Sequence, residues 1–173
     1  MSSRSDLLFD AEMSVKYHRR RATFLERSGQ IMSVAILVGG ATAFAGMFGS
    51  GDVAAKIGGA IIAALGIIQI VFQPDRCAAE HRNWLRAWGA LLTDIKQSVS
   101  SSPEEVAAWE ARKIVIEGEC VGEMRALQED CYNRTMAALN WPGTPTRITF
   151  LQRRLMQVLS FENSFQGKGA AKE

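Results

Sequence analysis

Apolar side chains gather between residues 31 and 72, and two stretches there, 29–51 and 57–74, contain no charged residue. Each is long enough as a helix to cross a hydrocarbon layer of about 30 Å, which takes roughly 17–25 residues. Between them, Gly49-Ser50-Gly51-Asp52 reads as a tight turn: the glycines accept a left-handed helix end, and the Asp52 carboxylate can cap the next helix. The pattern predicts a hairpin of two transmembrane helices, with spans at about 31–48 and 55–73. The competing structure is a pair of core helices in a soluble bundle. A chain of 173 residues leaves too few others to wrap two helices that are apolar on every side.

The flanking segments have helical periodicity. Residues 1–30 form an amphipathic lead-in, with Met13, Tyr17, Phe24 and Ile31 on one face and Lys16, Arg19, Arg20, Arg21 and Arg27 beside or opposite it. Only Gly29 interrupts the run into the first span, so one continuous helix bending at Gly29 is expected. Pro74 kinks the exit from the second span, and Trp84, Trp88, Leu91, Leu92 and Ile95 then mark a helix expected to pack on the lead-in. Ser102-Pro103-Glu104-Glu105 is a helix start with a hydroxyl cap, a proline in the first turn and a reciprocal glutamate. The stripe Val106, Trp109, Ile116, Cys120, Met124, Leu127, Cys131 and Ala138 follows, with Gly118 and Gly122 predicting a break between 117 and 123. Beyond Trp141-Pro142-Gly143, either Thr146 or Thr149 opens a last segment with Ile148, Leu151, Leu155 and Leu159 on one side and Arg147 nearby. The expected fold class is an all-α membrane protein: a two-transmembrane helical hairpin with long cytoplasmic helical extensions. Its parts are a lead-in at 1–30, the hairpin at 31–73, a cytoplasmic helical region at 74–165 and a disordered tail at 166–173.

Charge placement orients this hairpin. Arg4, Lys16, Arg19, Arg20, Arg21 and Arg27 precede the spans, and Arg76, Arg82, Arg86 and Lys96 follow them, whereas the loop carries only Lys56. Both termini are therefore expected in the cytoplasm. The first thirty residues are polar, so no cleavable signal peptide is read. A net charge of +2, without aromatics interleaved among the basic residues, argues against nucleic acid as a partner.

Within the spans, small residues recur at helical spacing: Ala35, Gly39 and Ala43; Ala41, Ala45 and Gly49; and Gly59, Ala63 and Gly66. They let backbones approach closely in lipid, either inside the hairpin or between copies of a symmetric homo-oligomer. Gln69 and Gln73, one turn apart, are the polar candidates for a pore lining, a contact between subunits or a headgroup contact. In the last segment, Arg153 and Arg154 are candidates for the membrane surface, with docking on the cytoplasmic helices as the alternative.

Catalytic and metal chemistry find little support. His18 and His81 are far apart in sequence, and no nucleophile elbow or phosphate-cradling glycine loop is present. Cys77, Cys120 and Cys131 are odd in number and not closely spaced, so neither a disulfide framework nor a zinc site is expected. Cys77 and His81 are one helical turn apart, which is only half a metal site. The glutamates from Glu104 to Glu123 read as a solvated helix face. No cofactor and no enzymatic activity are expected.

The order of Tyr17-His18-Arg19-Arg20-Arg21-Ala22, a tight hairpin, Ala79-Glu80-His81-Arg82 and Trp88-Gly89-Ala90-Leu91 resembles the SLATT family over roughly residues 10–140. Arg125-Ala126-Leu127, Cys131-Tyr132-Asn133 and Ala137-Ala138-Leu139 look like the third helix of some bacterial membrane proteins of this layout. The resemblance implies a bacterial inner-membrane protein acting as a pore-forming or membrane-disrupting effector in nucleotide-signalling defence systems. It also implies a cytoplasmic nucleotide-signalling or regulatory protein as partner. The alternatives are a membrane-tethered helical scaffold, with Trp84, Trp88, Trp109 and Trp141 as anchors for a soluble partner, and a holin-like phage protein.

Overall fold

The structure is a computed structural model that describes residues 3–47, 53–98, 102–120 and 124–161, apart from the side chains of residues 42–47, 54 and 55. The expected turn at 49–52, the side chains of Ala43 and Ala45, Gly122 and the tail at 166–173 lie outside the described residues. Every described element is a helix: α1 (Arg4–Met47), α2 (Val53–Phe72), α3 (Pro74–Gln97), α4 (Pro103–Glu119), α5 (Arg125–Leu139) and α6 (Phe150–Leu155). They form two compact units, one of residues 1–21 with 81–173 and one of residues 22–80.

In the first unit, α1 and α3 run antiparallel. The Arg4 guanidinium donates to the carbonyls of Ile95 and Ser98, both at 2.8 Å, while His18 meets His81 further along. Their seam contains Leu7, Ala11 and Val15 from α1 with Trp88, Leu91 and Ile95 from α3, and α4 closes it with Trp109 and Ile116. The stripe predicted on α3 is thus the buried one. On α1 the buried seam is rotated from the predicted face, and Ile31 is exposed. Leu7, Ala11, Val15 and His18 recur every three or four residues, so the seam has helical period but includes a small and a polar residue that a count of large apolar positions passes over.

α4 starts as expected. The Ser102 hydroxyl accepts from the Glu105 amide, and the Glu105 carboxylate accepts from the Ser102 amide. The stripe across α4 and α5 is not one helix, since α4 ends at Glu119 and α5 begins at Arg125. α5 ends at Asn140, whose left-handed conformation (φ 48°) closes the helix. Asn133 then holds the chain beyond: its amide donates to the Thr146 carbonyl at 2.7 Å, and its oxygen accepts from the Thr146 N–H at 2.8 Å. Thr149, rather than Thr146, caps α6, again with a capping box, to Gln152.

In the second unit the latter part of α1 packs antiparallel to α2. Ser33 lies against Gln69 and Gly39 against Ile62, so partners descend along α2 as residues ascend along α1. α1 continues through Gly29 without a break. What Gly29 supplies is room, because a Cβ there would stand 2.6 Å from an Asp75 carboxylate oxygen. The break between α2 and α3 falls at Gln73, in the left-handed region at φ 41°, immediately before Pro74. Among the described residues one helical stretch, Lys56–Gln97, contains a segment long and apolar enough to cross a membrane, with mean hydropathy 1.9 and only 6% of that segment buried.

Candidate functional site

Two histidines that sequence reasoning set apart meet in the first unit. His18 and His81 are both buried, and their Nδ1 atoms are 2.9 Å apart. One ring must donate and the other accept, so each pairs through a different tautomer at that nitrogen. Tyr17 and Trp84 surround them, with Trp84 edge-on to His81 at 5.1 Å between ring centres. On its other side His18 Nε2 is 3.8 Å from the Cys120 sulfur. Desolvation, and secondarily the neighbouring His81, push the His18 pKa down to about 4. Both rings pointed at one another cannot carry protons on the facing nitrogens, so the pair is stable only with that contact singly protonated.

Beside this pair lies a cavity of about 270 Å³ between α1, α3, α4 and α5. Tyr17, His18, Trp88 and Cys120 line its wall, and Asp10, Lys113 and Glu117 add charge. Lys113 pairs with Asp10 and, at 3.8 Å, with Glu117. Burial pushes the Lys113 pKa down, but the hydrogen bond and charge of Asp10, with Glu117 and Glu110, outweigh it and hold the ammonium in its charged form. The Tyr17 hydroxyl accepts from the Met124 N–H at 2.9 Å, securing the start of α5 where no side chain caps it. The buried indole N–H of Trp88 finds no acceptor among the described residues.

Cys120, His18 and His81 stand in the order of a nucleophile, a base and the group that orients the base. The chemistry does not follow from the order alone. An imidazole held to about 4 has too little proton affinity to activate a thiol near neutral pH. Cys131 is no better, because burial raises its thiol pKa despite the nearby Arg20. Among the described residues no group of three or more His, Cys, Asp or Glu side chains is arranged to hold a metal ion.

The arginines of the lead-in brace the same unit. Arg20 donates to Asp130 at 2.5 Å, and Arg134 reaches the same carboxylate oxygen at 2.8 Å. Burial would raise the Asp130 pKa, but the hydrogen bonds from Arg134 and Arg20 hold it below the usual carboxylate value. Arg21 donates to the Gln157 carbonyl, fastening the last segment to α1. The Ala126 N–H adds a second fastening by donating to the Ser160 carbonyl at 3.3 Å.

The residues singled out from sequence separate in the structure. Gly39 is closely packed, since a Cβ there would lie 2.5 Å from Ile62. Ile62 is therefore a contact between the two helices. The Cβ positions of Gly59 and Gly66 meet nothing within 4 Å, and Ala63 is exposed, so these three contribute little to packing inside the hairpin. Ala43 cannot be placed, because its side chain is outside the described set. Gln69 satisfies its amide within the hairpin by donating to Ser33 at 2.9 Å, whereas Gln73 is exposed and accepts from Arg76 at 3.5 Å. Arg153 and Arg154 are exposed, but Leu151 and Leu159, assigned to the packing stripe, are exposed as well. Gln152 and Met156 are the buried side chains there. Trp88 and Trp109 are committed to the core, leaving Trp84 and Trp141 half-buried.

The described residues thus define an all-helical protein with one helix long and apolar enough to span a membrane. Comparison with protein-family models, curated proteins and solved structures finds no match to this chain.

Proposed function

We propose that this chain is an oligomeric inner-membrane effector. In this reading α2 and the charge-free part of α1 cross the bilayer as a hairpin, with both termini in the cytoplasm. Several copies assemble around an axis, and a cytoplasmic signal acting on the first unit changes their packing and opens or perturbs the membrane. The observation that carries the reading is the apolar surface of the second unit. Leu37 is 74% exposed and Ile70 73%, with Val34, Val38, Ile57, Ile61, Ile67, Val71 and Phe72 similarly open. Each such side chain left in water forgoes about 1.5–3 kcal/mol of burial, whereas lipid takes the whole surface at once. The open faces at Gly59, Ala63 and Gly66 supply small-residue surface for neighbouring copies. The resemblance to the SLATT family supports the effector role and a nucleotide-signalling or regulatory partner. Induced expression with the native trigger is expected to depolarise cells and halt growth. Protein that inserts and oligomerises but leaves the membrane potential unchanged under that trigger overturns the effector role and leaves the tethered scaffold.

A further inference from the structure

The last described segment has an inner face that is spoken for and an outer face that is not. Gln152 is buried, its oxygen accepting from the Thr149 amide at 2.8 Å, and Met156 packs with Tyr17, Ala126, Leu127 and Cys131. With the Arg21 contact to Gln157, these anchors leave little rotational freedom. What they turn outward is an alternation of large apolar and cationic groups. Phe150 is 74% exposed, Leu151 61% and Val158 62%, and Arg153 and Arg154 stand exposed among them. The Arg154 guanidinium lies over the Phe150 ring, 5.2 Å from its centre, so charge and apolar surface are presented together.

We infer that this face docks on the anionic headgroup surface of the bilayer, Phe150, Leu151 and Val158 entering the interface while Arg153 and Arg154 pair with lipid phosphates. The inference rests on the membrane reading above. Charge complementarity selects the occupant: no acidic residue occurs between Asp130 and Glu162, whereas Arg147, Arg153 and Arg154 do, apart from the Arg134 already paired with Asp130. A rigid apolar and cationic face suits an interface in which rings and aliphatic chains sit at headgroup depth beside basic groups.

The test uses the full chain in nanodiscs of phosphatidylcholine alone or with one-third phosphatidylglycerol, carrying a genetically encoded dansyl amino acid at Val158. Blue-shifted emission and quenching by headgroup-level doxyl lipid are expected only in the anionic discs. Arg153→Gln with Arg154→Gln is expected to weaken the docked state on the order of 30-fold, from about 1 kcal/mol for each basic residue near a charged leaflet. Both side chains are exposed, and unchanged circular dichroism confirms that the variant folds. The same spectrum in both discs, or a shift indifferent to the arginines, overturns the inference while leaving membrane insertion and depolarisation intact. An equal shift on adding soluble polyglutamate assigns the face to an acidic protein and also overturns it. Failure of the chain to enter discs overturns the membrane reading itself.

Discussion

His18 and His81 share a hydrogen bond of 2.9 Å between their Nδ1 atoms, both rings buried beside Tyr17 and Trp84. This contact joins α1 to α3 through two titratable rings, and acid acts on it directly. Burial first, and His81 second, hold the His18 pKa near 4, below its ordinary 6.5. The unfolded chain therefore binds a proton that the folded chain refuses between those values, and stability is complete above about 6.5 and lost as pH falls towards 4. The loss is about 3 kcal/mol. Denaturant unfolding of the full chain in detergent at pH 7, 5.5 and 4 is expected to show it. His18→Leu is expected to flatten the profile in that window. An unchanged slope in the variant would place the acid sensitivity elsewhere.

Gly39 and Gly59 are expected to respond differently to the same change. Gly39→Leu drives a branched chain into Ile62, forcing the two helices of the hairpin apart, while Gly59→Leu has open space within the chain. Thermal stability of the monomer in detergent is expected to fall for the first and hold for the second. If Gly59→Leu instead lowers only the oligomer fraction in native gels, that face lies between copies.

Asp130→Ala leaves the Arg20 and Arg134 guanidiniums around an empty position beside buried Cys131 and Leu127. Breaking a buried charge network costs about 3–5 kcal/mol, and exposure of Arg134 puts this case at the low end. Chemical denaturation measures it, and a cost below about 1 kcal/mol would show that water shares the network.

Asn133→Ala removes both hydrogen bonds that hold Thr146, a loss of about 1–3 kcal/mol in all. Hydrogen exchange is expected to rise across residues 144–152 while α3 stays protected. A uniform rise would mean that the whole unit has loosened.

For the hairpin, a reporter fused after Glu173 is expected to be active in the cytoplasm and one inserted at Ser50 on the outer side. A cytoplasmic signal from Ser50 would defeat the topology.

Helical period carried most of the architecture that could be read from sequence. Trp88, Leu91 and Ile95 lie on the stripe their spacing predicted, and Ser102 to Glu105 form the expected cap, because both depend on residues within a few turns of one another. The site was harder to read for the opposite reason. His18 and His81 come together only once α1 and α3 pair antiparallel, and no local pattern records that register. A usable signal was present: His18 continues the spacing of Leu7, Ala11 and Val15, and His81 continues that of Trp88 and Ile95, so each histidine sits in a seam otherwise reserved for the core. Leu151 misled for a related reason. An amphipathic stripe states which residues share a face, and tertiary anchors such as Gln152 and Arg21 decide which face turns inward.

Arg20 and Arg21, which clasp Asp130 and the Gln157 carbonyl, also belong to the basic cluster that would orient the chain during insertion. The two duties fall at different moments. In a chain that inserts as proposed, topogenesis would read these side chains first, and the folded unit would use them afterwards. In such a chain, charge reversal at Arg20 would therefore produce two separable defects, a misdirected hairpin and a loosened helical unit, and reversing its partner Asp130 could repair only the second.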